Sequence, residues 1–125
     1  MAYILVVDDE GPVRSYLRRQ LEKWGYRVEE AESATTALEM MMLEVPAIVL
    51  LDIRMPGHDG LWLAERIHQR WKGTAIVMVT GADDIETIEK AKRFGVIDYV
   101  SKPFGRELLR QALRRASDVV SHAVE

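Results

Sequence analysis

Three short runs, ILVV at 4–7, AIVLL at 47–51 and AIVMV at 75–79, are apolar at every position and rich in Val and Ile. A strand with one wet face would alternate apolar and polar residues. Continuous runs of this length instead read as parallel strands covered on both faces. Two further segments, YRVEEA at 26–31 and VIDYVS at 96–101, have strand composition but carry polar residues, as strands at the edges of a sheet do. Between the strands lie stripes of helical period: Val13, Leu17, Leu21 and Trp24; Ala34, Ala37, Leu38 and Met41; Leu63, Ile67 and Trp71. Two more follow, Ile85, Ile88 and Ala91, then Leu108, Ala112, Leu113 and Ala116. Pro12 suits a first helical turn, Ser33 an N-cap, and Gly25 and Gly95 the positions just after a helix.

Strand and helix therefore alternate five times, which implies an α/β fold: a parallel, doubly wound sheet with right-handed crossovers and helices on both faces. The flavodoxin-like strand order 2-1-3-4-5 is expected, because it puts the two polar strands at the edges. The 125 residues suffice for one domain, read as a single unit over 1–125 with a core at about 3–117 and a short C-terminal tail. With no cysteine, disulfides and thiolate chemistry are excluded. The N-terminal MAYILVVDDE has no basic region and too short an apolar run for a signal peptide or membrane span, so a cytoplasmic protein is expected. A net charge of -3 gives no reason to expect non-specific attraction to nucleic acid or an anionic membrane.

In an open α/β sheet, ligands bind beyond the carboxyl ends of the strands, near the point where strand order reverses. Here those ends carry Asp8, Asp9 and Glu10 after the first strand, Asp52 after the third, Thr80 and Gly81 after the fourth, and Ser101, Lys102 and Pro103 after the fifth. Clustered carboxylates either raise a pKa or recruit a cation. Oxygen donors without His or Cys favour Mg²⁺ or a similar hard ion. A lysine and a hydroxyl facing the same place suit an anion, and a phosphoryl group is the obvious one. Taken singly, the acids could serve only the first helix's positive end.

These residues, with DIRMPGHDG at 52–60, TG at 80–81 and FGVIDYVSKPF at 94–104, closely resemble the receiver domain of bacterial two-component response regulators, from Tyr3 to about Ser117. The resemblance implies a phospho-accepting signalling switch rather than an enzyme acting on other molecules. Asp52 matches the acceptor of a phosphoryl group from a phosphohistidine, carried by a sensor histidine kinase or a histidine phosphotransfer protein. Asp8, Asp9, Asp52 and the backbone carbonyl of Arg54 match the ligands of Mg²⁺, which Mn²⁺ could replace. Thr80, Gly81, Ala82 and Lys102 match the phosphoryl-binding positions, Thr80 and Tyr99 the switch pair, and Pro103 a proline after a cis peptide bond. The face made by the fourth helix, fifth strand and fifth helix would carry the signal to an effector that the sequence does not name; a phosphorylation-linked dimer is left open.

Competing readings fare worse. A phosphatase of the haloacid dehalogenase type wants an acid two residues after the nucleophile, where this chain has Arg54. A flavin carrier wants a hydroxyl-rich phosphate loop, where it has Asp8, Asp9 and Glu10. His58, His68 and His122 read as surface residues, and Met40, Met41 and Met42 as core filling and helix surface. Trp24, Trp62 and Trp71 read as packing residues, with Trp62 near the site. Arg106, Arg110, Arg114 and Arg115 read as a solvated face or part of the output surface. Direct DNA binding is not expected, since all five helices are needed to cover the sheet.

Overall fold

A computed structural model describes residues 2–81 and 85–124, with backbone alone for 121–124. The chain alternates as expected: β1 (Ile4–Val7), α1 (Gly11–Lys23), β2 (Val28–Ala31), α2 (Ala34–Leu43), β3 (Ile48–Leu51), α3 (Gly60–Arg70), β4 (Ala75–Thr80), α4 (Ile85–Arg93), β5 (Val96–Ser101) and α5 (Arg106–Val124). The strands form one parallel sheet in the order β2-β1-β3-β4-β5.

The central strands are buried throughout because each of their faces meets a different layer of helix. Leu5, Val7, Val49, Leu51, Ile76 and Met78 point into a core closed by Ala37, Met41, Leu63, Ile67 and Ala91 of α2, α3 and α4. Their neighbours Ile4, Val6, Ile48, Leu50, Val77 and Val79 point the other way, against Leu17 and Leu21 of α1 and Leu109, Ala112, Leu113 and Ala116 of α5. A strand with two dry faces can only be continuously apolar. The edge strands β2 and β5 are covered less completely, and their polar residues lie there.

The helix punctuation also matches. Pro12 sits in the first turn of α1, and Ser33 caps α2 by accepting a hydrogen bond from the Thr36 N–H at 3.1 Å. Gly25 and Gly95 follow α1 and α4 with φ of 91° and 78°, a conformation that costs other residues more. Three expectations need correction. The buried stripe of α5 runs through Leu109, whereas Leu108 is 57% exposed; helical period alone does not choose between adjacent leucines. Ile85 opens α4 and is exposed. The second strand starts at Val28, because the Tyr26 N–H still bonds to Leu21 O and belongs to the helix end.

Candidate functional site

The register of the sheet brings the strand ends together. Val7 pairs with Leu51 and Leu51 with Met78, so Asp8 and Asp52 emerge side by side, with Thr80 at the end of the next strand opposite Ser101. The ladder continues one step past the strands: Asp52 N–H donates to Val7 O at 3.0 Å and Lys102 N–H to Thr80 O at 2.9 Å. Each rim side chain thus leaves a backbone position that the sheet itself holds.

The Lys102 ammonium sits among the acids, 2.7 Å from Asp8 Oδ2, 3.5 Å from Asp52 Oδ2 and 3.6 Å from Glu10 Oε1. Asp8 uses both oxygens, since its Oδ1 accepts from the Glu10 N–H at 2.9 Å. Asp8, Asp52 and Thr80 are buried, while Asp9 and Glu10 are exposed. Arg14 steadies the first loop, donating to the Asp8 carbonyl at 2.6 Å and to Glu30 Oε1 of β2 at 3.3 Å. The Lys102–Pro103 peptide bond is cis, as expected.

The charges do not balance. Asp8, Asp9, Glu10 and Asp52 can each offer an oxygen within 4.8 Å of the others, against one ammonium. Burial pushes the Asp8 carboxyl above the ordinary carboxylate range, aided by the charge on Asp52, even though Lys102 and the Glu10 N–H hydrogen-bond its ionised form. For Lys102, burial works to lower the pKa, but the hydrogen bond to Asp8 and the attraction of Asp52, Asp8 and Glu10 outweigh it and hold the ammonium above its usual range. Both directions describe one condition, a pocket with too much negative charge for its solvation. Four hard oxygen donors with that excess fit a divalent cation of the Mg²⁺ class.

The loop from β3 into α3 shapes the mouth. Ile53 and Met55 turn inward and Arg54 turns out to solvent. Gly60 opens α3 and donates to Ile53 O at 2.8 Å. A Cβ on Gly60 would collide with the Asp52 carbonyl oxygen and lie 2.8 Å from both Asp52 C and Ile53 Cα, so glycine alone lets the helix start this close to the acid. Asp59 caps the helix, accepting from Trp62 N–H at 2.9 Å. His58 stacks on Trp62 with ring centroids 3.8 Å apart, and Arg66 covers Trp62 at 3.9 Å from its centroid.

Asp8, Asp9, Asp52, Thr80 and Lys102 therefore converge, as their sequence positions suggested. Gly81 lies exposed beside Thr80, and Ala82 falls outside the described residues. Tyr99 stands in β5 with its hydroxyl in the interior, packed near Ile88 and Ala91 of α4. Glu10 joins the acid cluster although only Asp8 and Asp9 were expected as ligands there; its place in the acidic run was the available signal. The Arg14 tether and the His58–Trp62–Arg66 stack had no signal in the sequence. Met41 is buried and Met42 is 67% exposed, the division expected of the methionine run. His68 touches the Gly95 turn, and the side chain of His122 lies outside the described residues. No described helix is long and apolar enough to cross a membrane.

The model of the response regulator receiver domain family matches residues 4–114. The chain is 30% identical over 112 residues to sporulation initiation phosphotransferase F of Bacillus subtilis, covering 90% of each chain. It is 36% identical over 115 residues to the C4-dicarboxylate transport transcriptional regulatory protein DctD of Rhizobium meliloti, covering 92% of this chain and 25% of the relative. The chain thus spans about a quarter of the length of that larger regulator. Among solved structures, a CheY-like receiver domain protein from Methanospirillum hungatei superposes with a TM-score of 0.91 at 28% identity, over 98% of both chains. The receiver domain of NtrX from Brucella abortus does so with a TM-score of 0.84 at 36% identity, over 90% of this chain and 96% of that one. The acid pocket at the strand ends, the sheet order and these likenesses agree: the chain belongs to the response regulator receiver domains, the phosphoryl-accepting switches of two-component signalling.

Proposed function

We propose that Asp52 is the phosphoryl acceptor, and that the chain is a single receiver unit working in the cytoplasm rather than an enzyme on external substrates. The observation that carries this is the placement of the Asp52 carboxylate: at the end of the central strand, 5% exposed, 3.5 Å from Lys102 and among three other acids. An ionised carboxylate needs no general base to act as a nucleophile. An Asp52 oxygen attacks the phosphorus of a phosphohistidine, the donor's N–P bond breaks with its electron pair returning to the imidazole, and an acyl phosphate forms.

Lys102 is drawn from Asp8 to the new phosphoryl oxygens, and the Thr80 hydroxyl, Gly81 and Ala82 would complete that cradle. Asp8, Asp9, Asp52 and the Arg54 carbonyl would hold Mg²⁺, or Mn²⁺ in its place. When bound, the ion offsets the charge between the carboxylate and the incoming phosphoryl group. Thr80 moving toward the phosphate would free space for Tyr99, shifting the α4–β5–α5 face between two conformations. The partners are a sensor histidine kinase or phosphotransfer protein upstream and an effector downstream, with dimerisation on that face as one route of output.

The test is incubation with acetyl phosphate and Mg²⁺, followed by intact mass. One phosphoryl group should add to the wild type, and none without the metal or in Asp52→Asn. Labelling that survives Asp52→Asn would overturn the assignment.

A further inference from the structure

The loop that joins β1 to α1 carries Asp8 and Asp9, and Asp8 is held from the edge strand β2 at both ends of its backbone. Its N–H donates to Ala31 O at 3.2 Å. Its carbonyl accepts from the Arg14 guanidinium at 2.6 Å, and the same guanidinium donates through Nε to Glu30 Oε1 at 3.3 Å. Glu30 and Ala31 are consecutive residues of β2. Glu30 is fixed in turn, because its second oxygen accepts from Arg18 at 2.8 Å. Arg14 stands near the start of α1, and side chains on a helix lean toward its N-terminus, which is where this loop lies.

What Arg14 grips is a backbone oxygen, and that has a consequence for the acids. A peptide unit is planar, so fixing the Asp8 carbonyl fixes the plane that ends in the Asp9 nitrogen. The Asp8 carboxylate is buried, with Lys102 on one oxygen and the Glu10 N–H on the other. Asp9 is exposed, so packing does little to aim its carboxylate. Once the plane between them can rotate, the separation of the two carboxylates varies. Mg²⁺ demands near-ideal octahedral geometry and is sensitive to such play. We propose that Arg14 is a positioning residue for the metal: it sets the affinity of the acid pocket for Mg²⁺ by holding the Asp8–Asp9 peptide. The proposal rests on the reading of Asp8, Asp9 and Asp52 as holders of the ion. Two effects of opposite sign meet at this residue. By charge alone, removing a cation beside the acids would tighten Mg²⁺ binding. Loss of a group that orients metal ligands weakens affinity by roughly 10- to 100-fold, and this effect should win.

Calorimetric titration of Mg²⁺ into the full chain, with no phosphoryl donor present, measures the dissociation constant directly. Arg14→Met should raise it about tenfold. Arg14→Lys keeps the charge but offers a compact ammonium in place of a fork, and should fall between Arg14→Met and the wild type. Arg18→Met is the control: it takes an equal charge from the same Glu30 without touching the Asp8 carbonyl, and as a half-exposed pair it should change the constant by no more than about twofold. With acetyl phosphate as donor, the Mg²⁺ concentration for half-maximal labelling should rise in step with the dissociation constant. Melting without metal shows which variants are folded at the titration temperature. If Arg14→Met is not, Arg14→Lys decides, and wild-type affinity there overturns the proposal. So does an Arg14→Met that binds Mg²⁺ as tightly as the wild type or more tightly, or an Arg18→Met that loses as much. A wild type that takes up no Mg²⁺ at all would overturn the reading of the acid pocket itself, and this proposal with it.

Discussion

Replacing Gly60 by alanine tests the close approach of α3 to the site. The new Cβ would lie 2.8 Å from Asp52 C and Ile53 Cα, and closer still to the Asp52 carbonyl oxygen, all of them backbone atoms that no rotamer change can move aside. Carbon atoms rest at about 3.5 Å or more, so the carbon contacts alone require a separation of roughly 0.7 Å, and the closer carbonyl oxygen requires more. Overpacking of this kind costs about 1–3 kcal/mol, and rigid backbone on both sides puts the cost at the upper end. Separation also stretches the 2.8 Å bond from Gly60 N–H to Ile53 O, worth about 1 kcal/mol. Alanine's better helix propensity returns at most about 1 kcal/mol. The net loss is about 3 kcal/mol, a fall in Tm of roughly 10 °C for a domain of this size. Urea titrations followed by tryptophan emission measure it, with two internal standards. Gly57→Ala meets open space but keeps φ at 78°, and should lose about 1 kcal/mol. Gly73→Ala meets nothing and should be near neutral. If Gly60→Ala loses less than Gly57→Ala, the steric reasoning is wrong.

Other expectations concern the acid pocket and a cap. Because burial raises the pKa of Asp8, its folded value exceeds its unfolded one; that contribution to stability is full at low pH and is lost as pH rises through the folded value. Asp8→Asn should therefore raise Tm by a few degrees at neutral pH without metal, and a lower Tm would contradict the excess of negative charge. Mg²⁺ at ten times its dissociation constant should stabilise the wild type by about 1.4 kcal/mol, and Asp9→Asn should lose most of that gain in a calorimetric titration. Lys102 has the opposite charge but the same sign of linkage: its raised pKa gives stability that is present below the unfolded value and lost as pH rises through the folded one. Melting of wild type and Lys102→Met across the alkaline range should converge at high pH. Ser33→Ala removes the cap on Thr36 N–H and should cost about 1 kcal/mol in urea denaturation.

The sheet was readable because burial on two faces leaves no room for polar residues in β1, β3 and β4, and because Gly25, Ser33 and Gly95 mark helix ends by local chemistry. Sequence order then put Asp8, Asp52, Thr80 and Lys102 at one end of adjacent strands. What stayed hidden depends on three-dimensional closeness. The collision at Gly60 involves backbone eight residues earlier, which no composition rule registers. The Arg14 tether crosses from α1 to Glu30 of β2, and surface arginines offer too many partners for periodicity to choose one. The exchange of Leu108 for Leu109 shows the limit of periodicity: a stripe fixes the face of a helix to within one residue, and the packing layer decides the rest.

The bridge from Lys102 to Asp8 joins residues 94 positions apart, reaching from the edge strand β5 across β4 and β3 to β1. A ribosome-bound chain that has released only its first eighty residues already holds all four acids but not their cation. Such a fragment lacks the ammonium that bonds to Asp8 in the complete sheet. The ion pair is therefore a clasp between the first-made and the last-made strands, and the sheet must be complete before the acids at its centre meet their ammonium.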